Sequence, residues 1–200
     1  MRLFRRDSGR SEDGGRWAIV GLGNPGERYA GNRHNAGVMV LGRLTGDRFK
    51  THKSGCLVAE TSVAGHQVVL ARPTSFMNES GRPVRQLLDW YKIPIERLIV
   101  VHDELDIRFG DIKIKVGGGT AGHNGVKSLV AHLGTNDFLR VRIGVSRPPG
   151  PQDPADYVLN DFSSAQKKDL EDVLNRAATA VEAILEDGAE RAMNEVNEHT

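Results

Sequence analysis

Cysteine is nearly absent: Cys56 stands alone in 200 residues, so no disulfide can close within the chain and a disulfide-stapled secreted scaffold is excluded. That thiol opens an apolar, β-branched run, which fits a buried residue better than a nucleophile. Charge of one sign is also missing. With 27 Lys and Arg against 26 Asp and Glu the formal net charge is +1, so any contact with a polyanion must come from a local patch. No apolar run approaches the roughly 20 residues that cross a bilayer. The first residues, polar and arginine-bearing, lack the apolar core of an export signal, and a cytoplasmic protein with no membrane contact is expected. Residues 1–15 carry too little apolar surface to order themselves and read as a flexible leader. The remaining 16–200 fit one globular domain.

Within that domain, short β-branched runs bounded by Gly, Pro or polar residues recur at 17–22, 57–63, 67–71, 98–102, 112–116 and 139–145 and predict strands. Gly65-His66 predicts a tight hairpin and hence a mixed sheet. Helical periodicity appears near 34–46, 75–92 and 123–133, and again over a C-terminal segment with one apolar face from Leu170 to Leu185. Strands interleaved with helices imply a single-domain three-layer α/β sandwich, a twisted mixed sheet with helices on both faces. The Pro-rich stretch 148–154 reads as a surface connection.

The first glycine cluster, Gly21-Leu-Gly-Asn-Pro-Gly26, matches the dinucleotide fingerprint G-x-G-x-x-G letter for letter. The context does not fit. Pro25 pushes Asn24 out of helical geometry, the helical pattern starts only near His34, and the one acid at suitable distance, Asp47, lies in a polar stretch. The second cluster, Gly117-Gly-Gly-Thr-Ala-Gly-His123-Asn124-Gly125, joins a strand to a helix and is the better anion cradle. Alternation in the strand before it sets Lys113 and Lys115 on the polar face, and Arg140 and Arg142 repeat the device. If the two strands are neighbours, a phosphate-sized basic patch adjoins the glycine loop. The apolar strand ending in His102-Asp103-Glu104 discharges into carboxylates, one of which can orient an imidazole. Asn78, at a helix entrance, is either a cap or an amide aimed into a site. Neither H-E-x-x-H nor a Cys/His cluster is present, so no metal is expected; G-x-S-x-G is missing too.

Taken together, Gly21-Leu-Gly-Asn-Pro-Gly through Tyr29, Arg33-His-Asn-Ala-Gly37, Arg72-Pro-Thr-Ser-Phe-Met-Asn78, His102-Asp-Glu-Leu-Asp106, and the second glycine cluster with Arg140-Val-Arg-Ile-Gly144 resemble bacterial peptidyl-tRNA hydrolases. The likeness runs in the family's order over about residues 17–190; Asn32 stands where the family usually has threonine. The resemblance implies hydrolysis of the ester between a peptide and the 3′-terminal ribose of tRNA, by a monomer that needs no cofactor. It implies that His34 is the general base and that Asp103 holds its imidazole. By the same carry-over Asn24 and Asn78 position water and peptide, His123 and Asn124 line the acceptor-end side, and Tyr29 and Met77 form cleft walls. Lys115 and Arg142 match the positions that clamp the tRNA 5′ phosphate. The competing reading is a noncatalytic RNA-binding module of the same fold.

Overall fold

The structure is a computed structural model and describes residues 15–46 and 48–198; the expected leader lies outside these residues except for Gly15. The continuous apolar runs become the strands buried on both faces. β1 (Trp17–Gly21) pairs in parallel with β4 (His66–Pro73) on one side and with β5 (Leu98–Glu104) on the other, and β5 pairs in parallel with β7 (Leu139–Gly144). Antiparallel strands extend both edges, β3 (Cys56–Val63) followed by β2 (Lys50–His52) beyond β4, and β6 (Ile112–Val116) beyond β7. The seven strands lie in the order β2-β3-β4-β1-β5-β7-β6.

Helices cover both faces, as expected of a three-layer sandwich. One core joins Ile19, Leu70, Val101 and Val141 to α1 (Ala36–Leu44), α5 (Ser164–Asp187) and α6 (Ala189–Glu198). The other joins Val20, Val69 and Val100 to α2 (Gly81–Tyr91) and α3 (Asn124–Leu133). Cys56 is fully buried, and burial pushes its thiol from 9.0 up to about 11, which leaves it protonated and inert at neutral pH.

Gly21 of the first cluster and Gly37 of α1 serve packing. A Cβ on Gly37 would sit 2.1 Å from the Val101 carbonyl oxygen and one on Gly21 would sit 2.4 Å from the Gly37 oxygen, so α1 can lie directly on β1 and β5 only with glycine at both places.

Local differences from the sequence reading have simple causes. The hairpin turns at Ala64-Gly65, with φ of 49° and 78°, and His66 is already paired with Val63. Two successive positive φ values are what a two-residue hairpin needs to match strand twist. β2 escaped the periodicity because it is three polar residues on an edge. The C-terminal segment is two helices, broken at Gly188 with φ 83°, and a short α4 (Pro154–Val158) starts on an Asp153 N-cap at the end of the Pro-rich stretch.

Candidate active site

Parallel strands place their C-terminal ends on one side of a sheet, and loops leaving those ends form a crevice. Here β1 leads into the Asn24 turn, β4 into the turn carrying Met77 and Asn78, and β5 carries Asp103 just before its last residue, Glu104. His34 comes from a 3₁₀ turn, Arg33–Asn35, immediately before α1.

That turn is held on both sides. Asn35 Nδ2 donates to the Asn24 carbonyl at 2.9 Å and Asn35 Oδ1 accepts from the Asn24 N–H at 2.9 Å, a reciprocal pair that fixes the glycine turn against the histidine turn. Arg33, only 5% exposed, stacks 4.0 Å over the Tyr157 ring and donates to the carbonyls of Tyr157 and Asn160 and to Gln166 Oε1. Gln166 also completes the capping box of α5, and Asn32 bridges to Asp161, so the residues next to His34 are bolted to the C-terminal third of the chain.

Asp103 is 2% exposed and serves two imidazoles at once. His34 Nδ1 lies 2.9 and 3.0 Å from its two oxygens, and His123 Nε2 lies 2.9 Å from Oδ1. Burial alone would raise the carboxyl; the charge interactions with His34 and His123, and the hydrogen bonds of both rings, outweigh it and hold Asp103 far below the usual carboxylate range. For His34 burial pulls the pKa down, but the Asp103 charge and hydrogen bond carry it above 6.5. An ionised Asp103 only accepts, so His34 carries its proton on Nδ1 and keeps a lone pair on Nε2. The site therefore holds a buried imidazole with a fixed tautomer and a basic nitrogen that no described residue occupies, the arrangement of a general base.

His123 is fixed by a different device. It is the N-cap of α3, and its Nδ1 accepts from the N–H groups of Gly125 and Val126 at 3.1 and 3.3 Å. With Nδ1 accepting, the proton sits on Nε2 and is donated to Asp103. Behind it, His102 is fully buried and packs edge-on at 4.8 Å, with Nδ1 2.7 Å from the Asp103 carbonyl oxygen. Burial, with the neighbouring His123, keeps His102 neutral by lowering its pKa well below 6.5.

Two histidines thus meet on the Asp103 carboxylate while His102 bonds the backbone carbonyl of the same residue, and His34, Asp103 and His123 bring ligand atoms within 4.8 Å of one another. Two imidazoles and a carboxylate are a known donor set for a divalent metal. The α3 cap works against that use. A metal on His123 Nε2 would force the proton onto Nδ1, where it would face two backbone N–H donors.

The other expected residues are placed as follows. Asn24 Oδ1 accepts from the Met77 N–H at 2.8 Å, which orients the amide and leaves its Nδ2 without a partner among the described residues. Asn78 and Asn124 are exposed, and neither side chain bonds to a described residue. Met77 is 4% exposed and lies under Gly125, where an added Cβ would come 2.5 Å from Sδ; it is a buried support and offers little open wall. Tyr29 meets Phe76 edge to face at 6.5 Å, and Phe76, 49% exposed, is a rim residue that nothing in the sequence pattern singled out.

The two cation-bearing strands are neighbours, with Lys113 opposite Arg142 and Lys115 opposite Arg140. Arg140 is not part of a surface patch. It is 2% exposed and donates to the carbonyls of Gly117 and Gly119, so it pins the second glycine loop. Alternation assigns a side chain to a face, and that face is covered by the loop. Lys115 reaches the same loop, its Cε 2.5 Å from where a Gly118 Cβ would stand, while Arg142 lies 3.8 Å from Glu104.

A family model described as peptidyl-tRNA hydrolase matches residues 18–200. A protein of that name from Frankia casuarinae is 56% identical over 183 residues, covering 90% of this chain and 93% of the relative. One from Mycobacterium marinum is 51% identical, covering 90% and 96%. The crystal structure of peptidyl-tRNA hydrolase from Acinetobacter baumannii superposes with a TM-score of 0.84 at 34% identity, over 90% of this chain and 94% of that one.

Proposed function

The chain belongs to the peptidyl-tRNA hydrolase family and hydrolyses peptidyl-tRNA, and from that premise we propose that His34 is the base that draws a proton from the attacking water. The observation that carries this reading is the buried Asp103, which fixes the His34 tautomer with Nε2 free. Water, deprotonated at Nε2, adds to the acyl carbon of the ester. The imidazolium that forms is stabilised by Asp103, and its proton then passes to the departing ribose oxygen. A single well-placed base contributes about 10²–10⁴-fold, and an ester needs no Lewis acid beyond that.

Around this centre the free amides supply direction. Asn24, whose Nδ2 is left as a donor by the bond to Met77, and Asn78 hold the water and the acyl oxygen as charge develops there. Tyr29 forms one wall, and Met77 acts from beneath. Asn124 at the start of α3 and His123 at its cap line the acceptor-end side, so that the ribose lies between the base and the glycine loop. Lys115 and Arg142 take the 5′ phosphate, whose second ionisation distinguishes it from internal phosphodiesters. The enzyme acts as a cytoplasmic monomer on the acceptor stem and 3′ end.

Release of tRNA from N-acetyl-aminoacyl-tRNA in EDTA tests the chemistry. Unchanged turnover is expected. Turnover lost in chelator and restored by zinc but not by magnesium would contradict a metal-free base.

A further inference from the structure

Alternation puts Val100, His102 and Glu104 of β5 on one face of the sheet, and the register sets Arg140 and Arg142 of β7 beside Val100 and His102. Glu104 is the carboxylate of that face, only 4% exposed. Its Oε1 accepts a long bond from the Asp106 N–H at 3.3 Å, and its Oε2 lies 3.8 Å from Arg142 Nη1. Among the described residues this is the one ion pair that Arg142 makes. The neighbouring acids are engaged elsewhere, Asp103 with His34 and His123 and Asp106 with Arg147 at 2.7 Å.

A buried carboxylate persists where cations compensate it, and here two arginines share the task. Burial and the charge of Arg142 both push the Arg140 guanidinium below its ordinary pKa, and Glu104 opposes them. Arg140 is already committed to the carbonyls of Gly117 and Gly119. Arg142 is not committed in that way. A separation of 3.8 Å is an ion pair without a hydrogen bond, so a phosphate can compete with Glu104 for the Arg142 donors.

The reaction makes that competition useful. Hydrolysis cuts the ester at the 3′ end and leaves the 5′ phosphate as it was, so cations that hold this phosphate hold the substrate and the tRNA product alike. Binding that is equal before and after the chemistry does not lower the barrier, and a clamp that is too strong retains the product. A carboxylate beside Arg142 subtracts from the affinity of every anion that approaches it. We propose that Glu104 sets the strength of the 5′-phosphate clamp, acting through Arg142 so that tRNA leaves once its peptide has been released. Glu104 is a positioning residue in this role, and the proposal rests on the reading of Lys115 and Arg142 as the phosphate cations.

The test uses N-acetyl-aminoacyl-tRNA in two forms, one with its 5′ phosphate and one treated with phosphatase to leave a 5′ hydroxyl. KM is measured for both, together with the inhibition constant of deacylated tRNA that keeps its 5′ phosphate. Glu104→Gln removes the charge and retains an acceptor for the Asp106 N–H. In that variant the ratio of KM for the 5′-hydroxyl form to KM for the 5′-phosphate form should rise about fivefold, the measure of one partly exposed charge pair. The inhibition constant of deacylated tRNA should fall by the same factor. Glu104→Asp keeps the charge but draws it back from Arg142, and the ratio should move in the same direction by a smaller step. A ratio equal to or below the parent's in Glu104→Gln overturns the proposal, and so does an equal change on both substrates, which is what a merely structural carboxylate would produce. Should Glu104→Gln fail to fold, Glu104→Asp decides alone by the same criterion. A parent ratio near one would overturn the phosphate reading of Lys115 and Arg142 and this inference with it, whereas a parent ratio well above one that Glu104→Gln does not raise overturns this inference only.

Discussion

At the residue scale, His34 and Asp103 were legible because their types and settings are unusual: a histidine after a glycine turn and a carboxylate at the end of an all-apolar strand. Their 2.9 Å contact was not, since 69 positions separate them. The resemblance places His123 at a helix entry on the acceptor-end side; its bond to Asp103 needs the α3 cap, which no short-range pattern encodes for histidine. The electrostatics give a prediction with a definite sign. A base works when deprotonated, and Asp103 raises His34 above 6.5. The acid limb of kcat/KM should therefore lie above pH 6.5. In Asp103→Asn burial remains without the opposing charge, so the limb should move below that value as kcat falls; a pH profile of both proteins checks it. The same shift favours the fold with His34 protonated below pH 6.5 and loses that contribution as pH rises through the folded value, so the working form of the base is the less stabilising one.

At the element scale, strands with continuous apolar runs were readable and their ends were not. The turn Ala64-Gly65 shifted by one residue from the expected hairpin, and the polar β2 gave no period to detect. Arg33 shows why element contacts escape a sequence reading. A charged residue beside the proposed base suggests substrate, yet its guanidinium is spent on Tyr157, Asn160 and Gln166. On the β6–β7 pair Arg140 holds the loop, while Lys115 and Arg142 are the cations proposed to take the phosphate. Replacing Lys115 and Arg142 together by alanine should raise KM for full-length substrate about tenfold and lower the salt dependence by about one unit of slope per lost contact. A minimal 3′ fragment, which carries no 5′ phosphate, should be hydrolysed nearly as before. Steady-state kinetics at two or three salt concentrations distinguish this from a general loss.

At the scale of the whole molecule, the layered class and six of the seven strands followed from the alternation of strands and helices, but the order β2-β3-β4-β1-β5-β7-β6 rests on pairings between distant segments. That order sets the β6–β7 cations on one side of β5, which carries Asp103, and β1, β4 and β3 on the other. With a formal charge of only +1, the proposed phosphate contact rests on one strand pair and not on overall attraction. The core takes residues from nearly every element, so the fixed imidazole is a product of the complete fold. The most direct test of the account is to measure turnover of N-acetyl-aminoacyl-tRNA and affinity for tRNA side by side in His34→Ala. Turnover should fall by about 10²–10⁴-fold while affinity stays within about threefold, roughly 0.7 kcal/mol. Turnover close to that of the parent, at equal affinity, would contradict His34 as the base.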